Sequence, residues 1–234
     1  MSRSPVARDS TRTNANAFVD FGPEAPPDCR RCPRLAAFRE HYRCVEPAWF
    51  NGPVPSFGSA TARLLVVGLA PGLKGANRTG RPFTGDFAGE LLYGTLLSYG
   101  FAKGTYAASP TDGLTLVDCM ITNAVRCVPP ENKPTPEEIA TCRPFFAARL
   151  TALPKLQVLL ALGRIAHDQT LAALGLKKSA YPFSHGARHV ISPRLILFDS
   201  FHCSRYNTNT GRLTEAMFHA VFDGIRRELG PPGN

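Results

Sequence analysis

A short apolar run that ends in glycine, Leu64-Leu65-Val66-Val67-Gly68, constrains this chain more than any other feature. Consecutive apolar residues cannot alternate between core and solvent, so the run suits a strand buried on both faces, as in a parallel sheet covered by helices. The same grammar recurs along the chain. A helix is predicted near residues 89–98, a strand near 114–122, a helix near 136–150, strands at 158–162 and 196–198, and an amphipathic closing helix over 213–229. Alternation of strand and helix is the mark of an α/β layered domain with a parallel sheet. The helix at Pro136 has the clearest start, with Thr135 as N-cap, Pro136 at the first helical position and Glu138 placed for a capping box.

A length of 234 residues suits one core and one domain. Residues 1–17 are polar and rich in Arg, Ser, Thr and Asn, and are expected to form a disordered tail preceding a domain over 18–230. They lack the apolar centre of a secretory signal. No apolar run approaches the roughly 20 residues of a membrane span, so a soluble, cytoplasmic protein is expected. The formal net charge of +9 raises the prospect of a polyanionic partner such as DNA, but charge alone decides little. Seven cysteines, an odd number, point to metal binding in a reducing compartment and not to a disulfide framework. Two of them form a Cys-x-x-Cys-Pro turn at 29–33, followed by Leu35, Ala36, Phe38 and Tyr42 at helical spacing.

In open α/β sheets the site lies at the carboxyl ends of the strands. The unusual segments, residues 68–86, 123–136 and 201–210, all occupy such places, and three loops are expected to converge on one cleft. The first reads GLAPGLKGANRTGRPFTGD, too long and too glycine-rich for a simple turn. Gly75 and Gly80 have the spacing of a phosphate-binding P-loop, but Arg81 and Pro82 stand where Lys and Ser or Thr are required. Glycines without that Lys suit close backbone approach to a flat ligand.

This loop, down to ANRTGRPFTGD, resembles the first motif of the type 5 uracil-DNA glycosylases. The resemblance runs from about Cys29 to Phe218 and includes ITNAVRCVPPENKPTPEE, ALGRIA and FHCSRYNTNTGRLT in order. It implies a three-layer α/β/α sandwich with a central, mainly parallel four-stranded sheet. It also implies an enzyme that flips uracil, or another deaminated base such as hypoxanthine or xanthine, out of DNA and hydrolyses its glycosidic bond. Phe83 would stack on the base, with Gly68, Ala70 and Gly72 supplying backbone contacts, and Asn123 would read the base edge. Cleavage builds positive charge on the sugar and negative charge on the leaving base, which suits Asp86 and His202, with Asn132 as a further catalytic candidate. Leu69 and Ala70 stand where several related branches carry a polar or acidic residue. Arg205, Tyr206 and Asn207 would enter the minor groove, and Arg78, Arg81 and Arg212 lie in or beside the cleft loops.

Each assignment has a plainer rival. Phe83 can be a core residue, Asp86 a helix cap, His202 a buried hydrogen-bonded histidine and Asn132 a turn former. Cys29, Cys32, Cys127 and Cys142 would staple two distant segments, and by themselves suit zinc or iron–sulfur. The resemblance implies a [4Fe–4S] cluster with a structural role. Cys44 and Cys119 read as buried small apolar residues, and Cys203 receives no catalytic role. The partner expected is damaged DNA, bound by a single copy of the chain. The alternative is a non-catalytic iron–sulfur or zinc DNA-binding module on the same fold.

Overall fold

The computed structural model describes residues 22–231, so the tail expected at residues 1–17 lies outside the described residues. Helix α1 (Pro33–Val45) begins directly after Cys32, its N-cap. Strands β1 (Phe57–Gly58) and β2 (Leu64–Gly68) follow, then the single turn α2 (Ala76–Thr79) and helix α3 (Phe87–Ser98). Strands β3 (Ala102–Lys103) and β4 (Thr115–Leu116) make a small antiparallel pair outside the main sheet. The rest runs β5 (Cys119–Asn123), α4 (Pro136–Thr151), β6 (Val158–Leu162), α5 (Arg164–Ala173), β7 (Arg188–Ser192), β8 (Leu195–Ser200), α6 (Arg205–Asn209) and α7 (Glu215–Leu229).

The main sheet has the order β1-β5-β2-β6-β8-β7. Its four inner strands are mutually parallel, as expected. The sheet is wider than the sequence suggested, because antiparallel β1 and β7 add an edge strand on each side. The segment read as one strand over 114–122 divides in two. Thr115 and Leu116 pair with β3, and only Cys119–Asn123 joins the main sheet.

β2 is buried along its whole length, and its side chains alternate between two cores. Leu64 and Val66 face α3 and α7 through Leu92, Leu96, Phe218 and Phe222. Leu65 and Val67 face α4 and α5 through Phe146 and Leu171. These are the three layers, and each fully buried Leu or Phe contributes roughly 1.5–3 kcal/mol relative to exposure. The capping box at Thr135 and Glu138 is present in full, with the Glu138 amide donating to the Thr135 hydroxyl and the Thr135 amide to Glu138 Oε2. Among the described residues no helix is long and apolar enough to cross a membrane.

From β2 the chain passes to β5 on one side and then to β6 on the other, so the connection reverses direction at β2. Ligand crevices form at such points, beyond the strand ends. Gly68 and Asn123 are paired at the ends of β2 and β5.

Candidate active site

Beyond those strand ends lies a cavity of about 660 Å³. Its walls come from all three loops: Leu69 to Ala76 and Phe83 to Ala88 from the first, Asn123 and Asn132 from the second, His202, Ser204 and Arg205 from the third. The expected convergence is present.

At the floor, Phe83 is buried and holds the left-handed backbone conformation, φ 56°, which costs a non-glycine residue about 1–2 kcal/mol. Its ring both joins the core and lines the cavity, stacking on His202 with centroids 6.0 Å apart. Gly68 makes this floor possible. A Cβ there would lie 2.3 Å from Asn123 Oδ1 and 2.6 Å from the Phe83 ring. Asn123 itself is 3% exposed, and its Oδ1 has no hydrogen-bond partner among the described residues. A buried carbonyl oxygen left unpaired costs about 1–3 kcal/mol, so this oxygen suits a donor brought by a ligand.

Asp86 is both a helix cap and part of the cavity wall. Its side chain caps α3, Oδ1 accepting from the Gly89 amide at 3.2 Å, and it also lines the cavity. Oδ2 lies against Gly72 and Gly75, where an added Cβ would approach within 3.1 and 2.5 Å. Burial raises the Asp86 carboxyl above its ordinary pKa, and the Gly89 and Ala88 amides only partly offset this. His202 is pushed the other way, burial lowering its pKa, so at neutral pH it is an uncharged imidazole able to donate one N–H.

The third loop is held by its own polar groups. Ser204 caps α6, and the Asn207 side chain donates to the His202 carbonyl at 2.8 Å. Asn207 therefore positions His202, while Tyr206, 70% exposed, is free to enter a groove. Asn132 lies exposed at the cavity rim with φ 57°.

Arg205 is exposed and stacks over Phe87 at 5.1 Å. With Lys74 and Arg78 it lines an adjoining groove that also reaches Asp86. On the other side of His202, Arg164 and Arg212 lie over Phe183 and Phe201 around a recess of about 310 Å³. Sequence reading missed Lys74, Phe87 and Arg164. The last had a signal, since it follows Gly163 at the strand-to-helix turn of ALGRIA.

Two expectations are corrected. Arg81 does not face the cleft: it is buried, forms a two-pronged ion pair with Asp112 at 2.8 and 2.7 Å, and lies against Phe57, Tyr93 and Tyr106. Its partner lies 31 residues away across the β3–β4 hairpin, which no local pattern could reveal. Cys44 is exposed, since it falls on the outer side of α1, whereas Cys119 is buried as expected.

Cys29, Cys32, Cys127 and Cys142 line one small cavity between α1, the segment after β5, and α4. Leu69 and Ala70, which wall the large cavity, also pack against this cysteine core. Cys142 Sγ accepts from the Arg126 amide at 3.3 Å, and Cys127 Sγ accepts from Arg39 Nη1 at 3.3 Å. Burial pushes the Cys32 thiol to about 11 and Cys142 to about 12. Any group that holds them as thiolates must bring positive charge.

Among the described residues, His167, His189 and Asp199 bring three such ligand atoms within 4.8 Å of one another. Both His167 nitrogens face acceptors, Asp199 Oδ1 at 2.7 Å and the Tyr181 carbonyl at 2.8 Å. Burial alone would lower the His167 pKa, but the Asp199 hydrogen bond and charge raise it overall. Two acceptors require two N–H groups, so this is a buried imidazolium–carboxylate pair with no lone pair left for a metal.

Residues 55–226 match the family model described as the uracil DNA glycosylase superfamily, and the chain belongs to that superfamily. Within it, the chain is similar to type-5 uracil-DNA glycosylases. It is 48% identical over 208 residues to that of Thermus thermophilus, covering 86% of this chain and 94% of the relative. Identity is 39% over 211 residues to that of Mycobacterium leprae, covering 86% and 92%, and 38% over 191 residues to that of Pyrobaculum aerophilum, covering 80% and 83%.

Proposed function

We propose that this chain removes uracil from DNA by hydrolysing the glycosidic bond, leaving an abasic site. The observation that carries the reading is the floor of the large cavity, where the buried Phe83 ring and the Asn123 Oδ1, unpartnered among the described residues, face a space shared with Asp86 and His202. A flipped base would lie on Phe83, its edge meeting Asn123. The Asp86 carboxylate would stabilise the sugar cation or orient water, and neutral His202 would donate to the departing base. Asn132 and the backbone of Ala70 and Gly72 complete the wall.

The test is incubation with duplex and single-stranded oligonucleotides carrying uracil, hypoxanthine or xanthine, followed by alkali to reveal abasic products. Binding without cleavage of any lesion would favour the non-catalytic module. The same substrates test Asn123. A purine sets its six-membered ring farther from the sugar, so its carbonyl and N–H reach a different point of the pocket. Asn123→Ala should lose uracil excision by about tenfold or more, as expected for a lost base-edge hydrogen bond of about 1.5 kcal/mol, and hypoxanthine excision less. Equal losses would mean that Asn123 shapes the pocket without reading the base.

The exposed cations around the mouth, Lys74, Arg78, Arg164, Arg205 and Arg212, suit a phosphate backbone. Affinity for undamaged duplex should fall steeply with salt. Arg205→Ala and Arg212→Ala should each reduce the slope of log affinity against log salt by about 1. A flat salt dependence in the wild type would exclude this face.

The four cysteines fit an iron–sulfur cluster better than zinc. Zinc–sulfur bonds of about 2.3 Å put the sulfurs of a tetrahedron roughly 3.8 Å apart. No three of these sulfurs are among the described ligand atoms that fall within 4.8 Å of one another. A [4Fe–4S] cluster spaces its thiolates more widely, and when bound it would cross-link α1 to α4 behind Leu69 and Ala70. Anaerobically purified protein should be brown and carry about four irons per chain. One zinc and no iron would refute this.

A further inference from the structure

Among the described residues, Arg39 has no carboxylate partner. It is fully buried on α1. Nη2 donates to the Cys29 carbonyl at 2.9 Å, Nη1 to Cys127 Sγ at 3.3 Å, and Nε has no partner. The other deeply buried arginines reach carboxylates: Arg81 reaches Asp112 at 2.7 Å, and Arg126 and Arg149 reach Glu24 at 3.3 and 2.5 Å. Asp28 is near enough to feel the Arg39 charge, but it is exposed and pairs with Arg43 instead. An unbalanced buried guanidinium is strongly unfavourable, and a neutral thiol does little to offset it. The available source of negative charge beside Arg39 is the sulfur set itself.

We infer that Arg39 is the built-in counter-cation of the four-cysteine centre, raising the reduction potential of the bound iron–sulfur cluster and securing its retention. This rests on the iron–sulfur reading above. Four thiolates outweigh the charge of the cluster core, so the assembly is anionic and becomes more so on gaining an electron. A fixed positive charge in a water-poor site favours that more negative state, and an N–H···S hydrogen bond acts in the same direction. The Arg126 amide adds a second such bond at Cys142. Arg39 touches sulfur through its guanidinium and is not among the large cavity's lining residues, so it tunes the centre without entering the cleft.

The test begins with iron content and ends at an electrode. Iron assay of the wild type comes first: a chain with no iron, or with zinc, overturns both the cluster reading and this inference. With iron present, the one-electron midpoint is measured by spectroelectrochemical titration, the electrode supplying the electron and no protein bond forming or breaking. Arg39→Met removes charge and donors while keeping length, and should lower the midpoint by the equivalent of a roughly tenfold change in the reduction equilibrium, about 59 mV. Arg39→Lys keeps the charge and should recover most of it. Arg188→Met, which breaks an exposed ion pair to Glu228 between β7 and α7, should leave it unchanged. An unchanged midpoint in Arg39→Met at full iron content overturns the inference. Where Arg39→Met cannot hold iron, Arg39→Lys decides. Iron retained there at a near wild-type midpoint supports the role of charge, and iron lost in both variants makes Arg39 only a brace for the Cys29 turn.

Discussion

Asp86→Asn is expected to lower single-turnover uracil excision by about 10²-fold or more while leaving DNA affinity and iron content near wild type. The substitution separates the cap that Asp86 forms from the catalytic role proposed for it. Asn is about as good an N-cap as Asp, so the bond to the Gly89 amide survives and α3 stays in place. The lost charge at a helix N-terminus costs only about 0.3–1 kcal/mol of stability. What disappears is the negative charge at Oδ2, in the glycine-walled corner of the cavity, where it would meet the sugar cation. A variant that melts like the wild type but has lost its rate assigns Asp86 to the chemistry, whereas near-wild-type rates would leave it as a cap alone. His202→Ala should cost a comparable factor on uracil and less on a base that already leaves easily, because in the proposed mechanism His202 helps the leaving group and Asp86 the sugar common to all substrates.

The same pair sets the pH dependence. In the proposed mechanism Asp86 acts as an anion, and its pKa is raised by burial, so excision should fall as pH drops through that raised value, above the ordinary carboxylate range. The pKa of His202 is lowered, so it stays neutral across the neutral range and contributes no loss there. Single-turnover rate against pH should therefore show an acid limb and a plateau from neutrality upward. Asp86→Asn should remove the acid limb together with the rate, and a limb that persists unchanged in the variant would place the titrating group elsewhere.

The sequence revealed the parts of this molecule whose physics is local. The buried run at β2, the capping box at Thr135 and the three loops at strand ends each carry their cause within a few residues, and each appears in place. The missed elements break the usual patterns. α5 buries His167, Gln169 and Thr170, so its inward face does not read as apolar, and His167 is there because Asp199 on β8 holds it. β7 alternates exposed and half-buried residues at the sheet edge, and β1 spans only Phe57 and Gly58, too few for any period to register. In the cleft, the resemblance to the type 5 motifs singled out Phe83, Asp86, Asn123 and His202; residue type and spacing alone would have left Phe83 a core residue. The inward turn of Arg81 and the use of the Asn207 amide to hold His202 depend on partners that only the folded chain brings near.

Asp112→Ala should destabilise the fold by about 3–5 kcal/mol, the largest stability loss expected of a single polar substitution here. Both side chains of the Arg81–Asp112 pair are almost wholly buried, and Asp112 also accepts from the Ala107 and Leu114 amides at 3.0 Å each. Removing the carboxylate leaves a guanidinium uncompensated among aromatic rings. The Arg81 hydrogen bond holds Asp112 far below the usual carboxylate range, and burial offsets only part of this. A depressed folded pKa means that the pair's contribution is complete above about pH 4, near the unfolded value, and is lost as pH falls toward the folded one. The deficit of Asp112→Ala should thus be constant through neutrality and shrink only in strong acid. The loss also reaches the cleft. Arg81 Nε donates to Thr84 at 2.6 Å and the Tyr93 hydroxyl donates to the Pro82 carbonyl at 2.6 Å, so these bonds flank Phe83 and keep it in its left-handed conformation. Excision by Asp112→Ala at a temperature where it remains folded should therefore be slower, while the salt slope of DNA binding stays at the wild-type value because Arg81 never met a phosphate. Arg81→Met is the decisive companion: a reduced salt slope with unchanged melting would return Arg81 to the DNA face, whereas an unchanged slope with a lowered melting temperature places it in the wall that holds Phe83.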